Sequence, residues 1–243
     1  MKLLLSGEGP TDLGVNRAVA GGVEFVPGPM AHVVDRLLET HLGYSILKWH
    51  ELGGDCVSYV GESELASLGK PGSPLFPGVK FGKGTALFTR NAQVLGLKAI
   101  EEARGAAVPV IAVLFRDGDG TRSVSRTDWE QKVASIERGF ELVKFNAGVP
   151  MLPRPKSEAW LLCALKPQAY ADCDALEEAP GNDASPRSLK GRLEALVGHE
   201  APAAEQSDWV QSGRVDPQRI EMPSFRRFRE ALDGAYGNAS SAA

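Results

Sequence analysis

The apolar run Val108-Pro-Val-Ile-Ala-Val-Leu-Phe115 ends abruptly in Arg116-Asp-Gly-Asp-Gly120, and no other junction constrains this chain as tightly. A short continuous apolar run bounded by turn residues reads as a strand buried on both faces, as in parallel sheets covered by helices. Carboxylates at the mouth of such a strand are costly unless something positive lies between them. Asp117 and Asp119 therefore call for a cation or a basic partner.

A second junction has the same form. Lys2 to Ser6 reads as a short buried strand, and Gly7-Glu-Gly-Pro-Thr-Asp-Leu-Gly14 follows it as a turn. In open parallel sheets, ligands bind beyond the carboxyl ends of the strands. If the two strands are central neighbours, Glu8, Asp117 and Asp119 meet at one edge. Such a cluster repels itself and raises its own pKa values until a cation sits in it. Oxygen-only ligands favour Mg²⁺ or Mn²⁺. Gly7, Gly9, Gly118 and Gly120 would let the backbone turn tightly and approach a phosphate. Alone, Asp-Gly-Asp-Gly is equally well a solvated turn; the acidic turn behind the first strand tips the reading toward a metal.

The third segment is Pro153-Arg-Pro-Lys-Ser-Glu-Ala-Trp-Leu-Leu162. Glu158 is a candidate to complete a metal shell, and Lys156 or Arg154 to neutralise a phosphate. Singly, the segment is an ordinary helix start with an acid in its first turn. With the other two it becomes part of one constellation.

The remaining elements follow from periodicity and punctuation. Met30 to Thr40 has helical spacing, and Tyr44 to Trp49 reads as a second strand. Between Glu51 and Thr85 the signal weakens, and glycines and prolines suggest a long loop or insertion. Asn91 is placed to cap a helix to about Arg104. Thr127-Asp-Trp-Glu130 has capping-box spacing and opens a helix ending near Gly139. Phe140 to Phe145 reads as another strand, and Ser157 to Leu165 as a helix. Beyond Lys166 only helices are expected, one from Ser185-Pro186 and one from Ser224, with Phe225 and Phe228 as core. The alternation predicts an α/β fold with a mostly parallel sheet flanked by helices.

Composition removes several function classes. With 43% hydrophobic residues, the 243-residue chain has ample material for a core, and its net charge of −4 supplies no global field for nucleic acid. Cys56, Cys163 and Cys173 form no CxxC pair and no disulfide scaffold, which suits a reducing compartment; Cys163 reads as a small buried apolar residue. No signal peptide and no membrane-length apolar run is seen, so a cytoplasmic protein is expected. Gly-Lys-Gly-Thr at 82–85 fails the P-loop pattern, because glycine follows the lysine. His32, His41, His50 and His199 have no zinc-ligand spacing, and no GxSxG is present.

Taken together, Glu8-Gly-Pro-Thr-Asp12, Asp117-Gly-Asp119 and their strand contexts resemble the TOPRIM domain. That metal-dependent module is found in topoisomerases, bacterial-type primases and overcoming-lysogenization-defect nucleases. Glu158-Ala-Trp-Leu-Leu162 and Pro223-Ser-Phe-Arg-Arg-Phe228 are similar to segments of small uncharacterised bacterial TOPRIM-like proteins. The resemblance implies a catalytic core over 1–165, with an insertion at about 50–105. A helical extension over 166–235 and a frayed tail over 236–243 would follow. More than 100 residues separate Glu8 from Asp117, hence the insertion, which would serve as a lid or substrate-binding loop. Arg116, where the family often has a small or apolar residue, is a departure.

By this resemblance, Asp117, Asp119, Glu8 and Glu158 would hold Mg²⁺ or Mn²⁺, with Glu8 as ligand or general acid/base. Lys156 and Arg154 would stabilise negative charge developing in phosphoryl transfer. Thr11, Lys80, Lys83, Arg90, Arg116 and Arg122 are candidate phosphate or nucleic-acid contacts, although ordinary solvated cations explain such residues equally well. With no strand-passage tyrosine and no zinc cluster, a nuclease is expected, with an ATPase partner and a role in antiviral defence by analogy. A hydrolase or transferase of a small phosphorylated molecule and a non-catalytic scaffold are the alternatives.

Overall fold

The computed structural model describes residues 1–9, 11–69, 86–118 and 125–241. Lys70, Lys80, Lys83, Asp119, Gly120 and Arg122 lie outside these residues. In chain order the elements are β1 (Lys2–Gly7), β2 (Gly14–Val19), β3 (Gly22–Pro27), α1 (Pro29–Leu42), α2 (Ile46–Glu51), β4 (Val57–Gly61) and α3 (Glu62–Leu68). There follow α4 (Ala86–Ala106), β5 (Val110–Phe115), α5 (Arg126–Leu142), β6 (Gly148–Met151) and α6 (Ser157–Leu165). The C-terminal part holds a 3₁₀ turn (Asp174–Glu178), α7 (Leu189–Val197), α8 (Ala203–Gln211) and α9 (Pro223–Ser241).

The fold is α/β, with a parallel four-stranded sheet in the order β4-β1-β5-β6 flanked by helices. The two strands expected from their apolar runs are adjacent at its centre. Every residue of β1 and β5 is buried, and their side chains alternate between two apolar layers. Leu3, Leu5, Ile111, Val113 and Phe115 face a layer shared with α1, α2, α6, α7, α8 and α9. Leu4, Val110, Ala112 and Leu114 face one built from α3, α4 and α5. Predominantly apolar strands without polar alternation are what double coverage requires. Among the described residues no helix is long and apolar enough to cross a membrane.

Several elements differ from expectation. Residues 46–51 form α2, not a strand: Ser45 caps the helix, and buried Asp35 accepts hydrogen bonds from the amides of Ile46 (2.7 Å) and Leu47 (3.1 Å). A carboxylate from the preceding helix thus satisfies orphan donors that the local sequence leaves open. Residues 140–145 are the end of α5 and its turn, and the strand begins later, at Gly148. Asn91 lies buried inside α4, and the caps of α5 and α7 are Ser125 and Ser188. The weak-signal region contains β4, an edge strand paired in register with β1, so it is partly core sheet rather than wholly an insertion. The β2–β3 hairpin was not foreseen. Helix α9 continues through Ser241, and the Asn238 side chain donates to the Asn146 carbonyl at 2.7 Å, so most of the expected tail is ordered helix.

Cys163 and Cys173 are joined by a disulfide, contrary to the expectation of unpaired cysteines. The chain turns back after α6, with the Tyr170 amide donating to the Cys163 carbonyl at 2.7 Å, and this brings the two residues together. The cysteine argument for a reducing compartment therefore falls. Cys56 is free and buried.

Candidate functional site

After β1 the chain proceeds to β4 on one side, and from β4 it crosses to β5 on the other. The strand order therefore reverses between β1 and β5, the topological switch point at which open α/β sheets bind ligands. Glu8 and Asp117 lie just beyond the carboxyl ends of those two strands.

The turn after β5 is held from three sides. Glu8 Oε1 accepts a hydrogen bond from the Asp117 amide at 2.9 Å. The Gly118 amide donates to the Pro153 carbonyl at 3.0 Å, and Lys132 Nζ donates to the Gly118 carbonyl at 2.7 Å. A Cβ at position 118 would lie 2.4 Å from the Pro153 oxygen, so the close approach of the two turns requires glycine. Asp117 Oδ1 then accepts from the Ser157 amide at 3.2 Å, in the first turn of α6, where the helix dipole favours a negative charge.

The same helix start collects two further acids. Ser157 Oγ donates to Asp12 Oδ1 at 2.5 Å, and Thr11 Oγ1 donates to Asp12 Oδ2 at 3.3 Å. Burial pushes the Asp12 carboxyl above the usual range, against the opposing effects of these hydroxyls and Lys156. Burial also raises Glu158; nearby Asp12 and Asp183 push the same way, while its own amide and Lys156 oppose. Glu158 Oε2 is buried with no hydrogen-bond partner. A desolvated carboxylate oxygen without a donor, next to a second raised carboxyl, is the environment a divalent cation relieves.

These groups line one wall of a cleft of about 610 Å³: Thr11, Asp12, Asp117, Lys156 and Glu158. The facing wall belongs to the C-terminal helices and their loops, including Asp183, Lys190, Glu194, Glu200 and Gln206. Lys156 Nζ reaches Asp183 at 2.9 Å, and Lys190 Nζ reaches Glu200 at 2.6 Å.

Of the expected residues, Glu8, Thr11, Asp117, Lys156 and Glu158 are gathered at this edge, with Glu8 engaged by the Asp117 backbone. Arg154 is turned elsewhere: its buried guanidinium pairs with Glu178 at 3.0 Å and Glu177 at 3.7 Å, outside the cleft lining. Arg116 is buried, with Nη2 3.5 Å from Glu62, and Arg90 packs against Gly69. Asp119, Lys80, Lys83 and Arg122 lie outside the described residues. Among the described residues, no three His, Cys, Asp or Glu side chains form a ready-made cation site.

Sequence reasoning missed Ser157, Lys132 and the whole facing wall. Ser157 had a signal, since it opens the helix already placed at 157–165; Asp183 and Lys190 had none. No family model matches the chain, and no curated protein or solved structure shows detectable similarity to it.

Proposed function

We propose that the chain is a Mg²⁺- or Mn²⁺-dependent phosphodiester hydrolase of TOPRIM type acting on nucleic acid. One observation carries this reading: two acidic turns lie side by side at the switch point of a parallel sheet. Asp117, Asp119 and Glu158 are the residues that would hold the cation, with Glu8 and Asp12 beside them. When bound, the ion supplies Lewis-acid polarisation of the phosphodiester and offsets charge in the transition state. The chain's own groups orient the site. Glu8 fixes the Asp117 turn, and Ser157 holds both Asp12 and Asp117. Lys156 brings an ammonium to the negative charge that develops on the phosphoryl oxygens. Asp12 is held in place by the hydroxyls of Ser157 and Thr11.

A second reading has a specific observation in its favour. The described cleft lining carries six carboxylates, on Asp12, Asp117, Glu158, Asp183, Glu194 and Glu200, against the ammonium groups of Lys156 and Lys190. Such walls suit a compact phosphorylated molecule better than a long polyanion.

The test is calorimetric titration of Mg²⁺ and Mn²⁺ into wild type and the Asp117→Ala/Asp119→Ala chain, followed by incubation with labelled single- and double-stranded DNA and RNA. Metal binding and cleavage lost together in the variant support the nuclease. Metal binding without cleavage of any nucleic acid favours the small substrate. A folded wild type that binds neither ion sinks both and leaves a non-catalytic scaffold.

A further inference from the structure

The two lysines of the cleft are held in different ways. Lys156 is mostly buried, its side chain 16% exposed, whereas its partner Asp183 is 54% exposed and lies on the loop between the 3₁₀ turn and α7. The ammonium is the buried member of this pair and the carboxylate the exposed one. Lys190, on α7, is likewise paired with an exposed acid, Glu200. Asp183 is also within electrostatic reach of Lys190 on its own wall and of Glu158 at the acidic edge. Opposite charges therefore alternate from Glu158 through Lys156, Asp183 and Lys190 to Glu200.

These are the only basic side chains among the described lining residues, and both already hold carboxylate oxygens. Two carboxylates supply the lysines with two negative charges. A phosphomonoester dianion carries about the same charge and offers three oxygens for charge-assisted hydrogen bonds. An internal phosphodiester carries half that charge and matches less well. We propose that Lys156 and Lys190 form a phosphomonoester subsite beside the acidic edge, occupied in the resting protein by Asp183 at Lys156 and by Glu200 at Lys190, so that the substrate is one bearing a terminal phosphate group. The proposal deepens the phosphoryl-transfer reading and rests on it for the reaction, but the subsite binds without the metal. The phosphate can belong to a free nucleotide or to a phosphorylated strand end. Substrate entry displaces the Asp183 and Glu200 carboxylates, and both exposed side chains swing to solvent.

The test uses the full chain carrying Asp117→Asn/Asp119→Asn in EDTA, so that neither metal nor turnover enters the readout. Calorimetry compares a 5′-phosphorylated with a 5′-hydroxyl oligonucleotide, and a nucleoside 5′-monophosphate with its nucleoside. Each phosphorylated ligand should bind roughly tenfold more tightly, the effect of one additional charge-assisted hydrogen bond. Adding Lys190→Gln should erase the preference, and adding Asp183→Asn should enlarge it. A preference confined to the oligonucleotide identifies a strand end, and one shown by both pairs includes free nucleotides. Equal affinities in the Asp183→Asn protein, or a preference that survives Lys190→Gln, overturn the subsite. Metal titration of the wild type is independent of these results, so a failed subsite and a failed metal reading are told apart. Both added substitutions lie at exposed side chains, and circular dichroism checks that the variants fold.

Discussion

The cleft has two walls made in opposite ways. The sheet-side wall is set on fully buried strands and on α6, whose Trp160 is itself fully buried against Phe225 and Phe228, and its Asp12 and Glu158 are desolvated. The facing wall is set on α7, α8 and loops, and its Asp183 and Glu200 remain in water, paired with lysines. Desolvated carboxylates change their proton affinity and call for a cation; solvated ion pairs cost little to make or to exchange. One wall is thus fitted for chemistry and the other for reversible recognition. If so, substitutions at the first should disturb stability, proton binding and metal binding, and substitutions at the second should alter affinity alone.

The largest effect is expected where charge is buried behind the sheet-side wall. Glu177 is buried, accepts the Ser224 amide at 2.7 Å and faces Arg154, which also pairs with exposed Glu178. Arg154→Met leaves the Glu177 charge buried without its cation, which should cost about 3–5 kcal/mol in urea unfolding. Glu178→Gln, at the exposed partner, should cost less than about 1 kcal/mol. A stable Arg154→Met chain that loses cleavage would instead return Arg154 to the reaction and break the comparison.

Next is the turn that carries Asp117. Gly118→Ala drives a Cβ to 2.4 Å from the Pro153 carbonyl oxygen, so the two turns must separate. The expected cost is about 1–3 kcal/mol, as for overpacked sites, accompanied by weaker Mg²⁺ binding because Asp117 moves off the α6 amide. Unfolding and metal titration on the same sample check both. Lost stability with unchanged metal affinity would detach the turn from the site.

How much of this could be read in the sequence follows the same division. The acids of the sheet-side wall stand directly behind apolar runs, and β1, β5 and α6 were legible because their burial is written continuously along the chain. Residues 46–49 were not, because a short apolar run fits helix or strand until Asp35 from another helix supplies its cap. Edge strand β4 carries mixed burial and gives no run to recognise. Arg154 read as a phosphate ligand beside Lys156, yet its partners lie 23 and 24 positions onward, beyond any local pattern. Lys190 and Asp183 belong to a wall made only by long-range packing of the C-terminal helices, and no spacing announces it.

A smaller effect should appear in the pH dependence of the metal-free chain. Burial raises the folded-state pKa of Glu158 and of Asp12 above their unfolded values. Between the two values the folded chain binds more protons than the unfolded one. The stability each group contributes is fully present below the unfolded value, near 4 for a carboxyl, and is lost as pH rises through the folded value. Glu158→Gln cannot ionise, so its stability relative to wild type should climb through that window, by at most about 1.4 kcal/mol per pH unit. Thermal melts in EDTA from pH 4 to 8 measure this. A gap between the two chains that is constant across the range would show that Glu158 is not desolvated, and the contrast between the walls would lose its physical basis.

The smallest effect belongs to the facing wall and sharpens the comparison most. Asp183→Asn removes a half-exposed carboxylate from an ion pair that gains little over water, so unfolding should shift by no more than about 1 kcal/mol. Lys156, left without that partner, stays beside Glu158 and Asp12, both of which it already stabilises in the ionised form. Little compensation is therefore demanded of the rest of the site. A chain as stable as wild type in urea but measurably tighter for a phosphorylated ligand would separate recognition from folding at one residue. A loss of several kcal/mol would mean that the loop carrying Asp183 holds the C-terminal helices in place, and that the second wall is structural like the first.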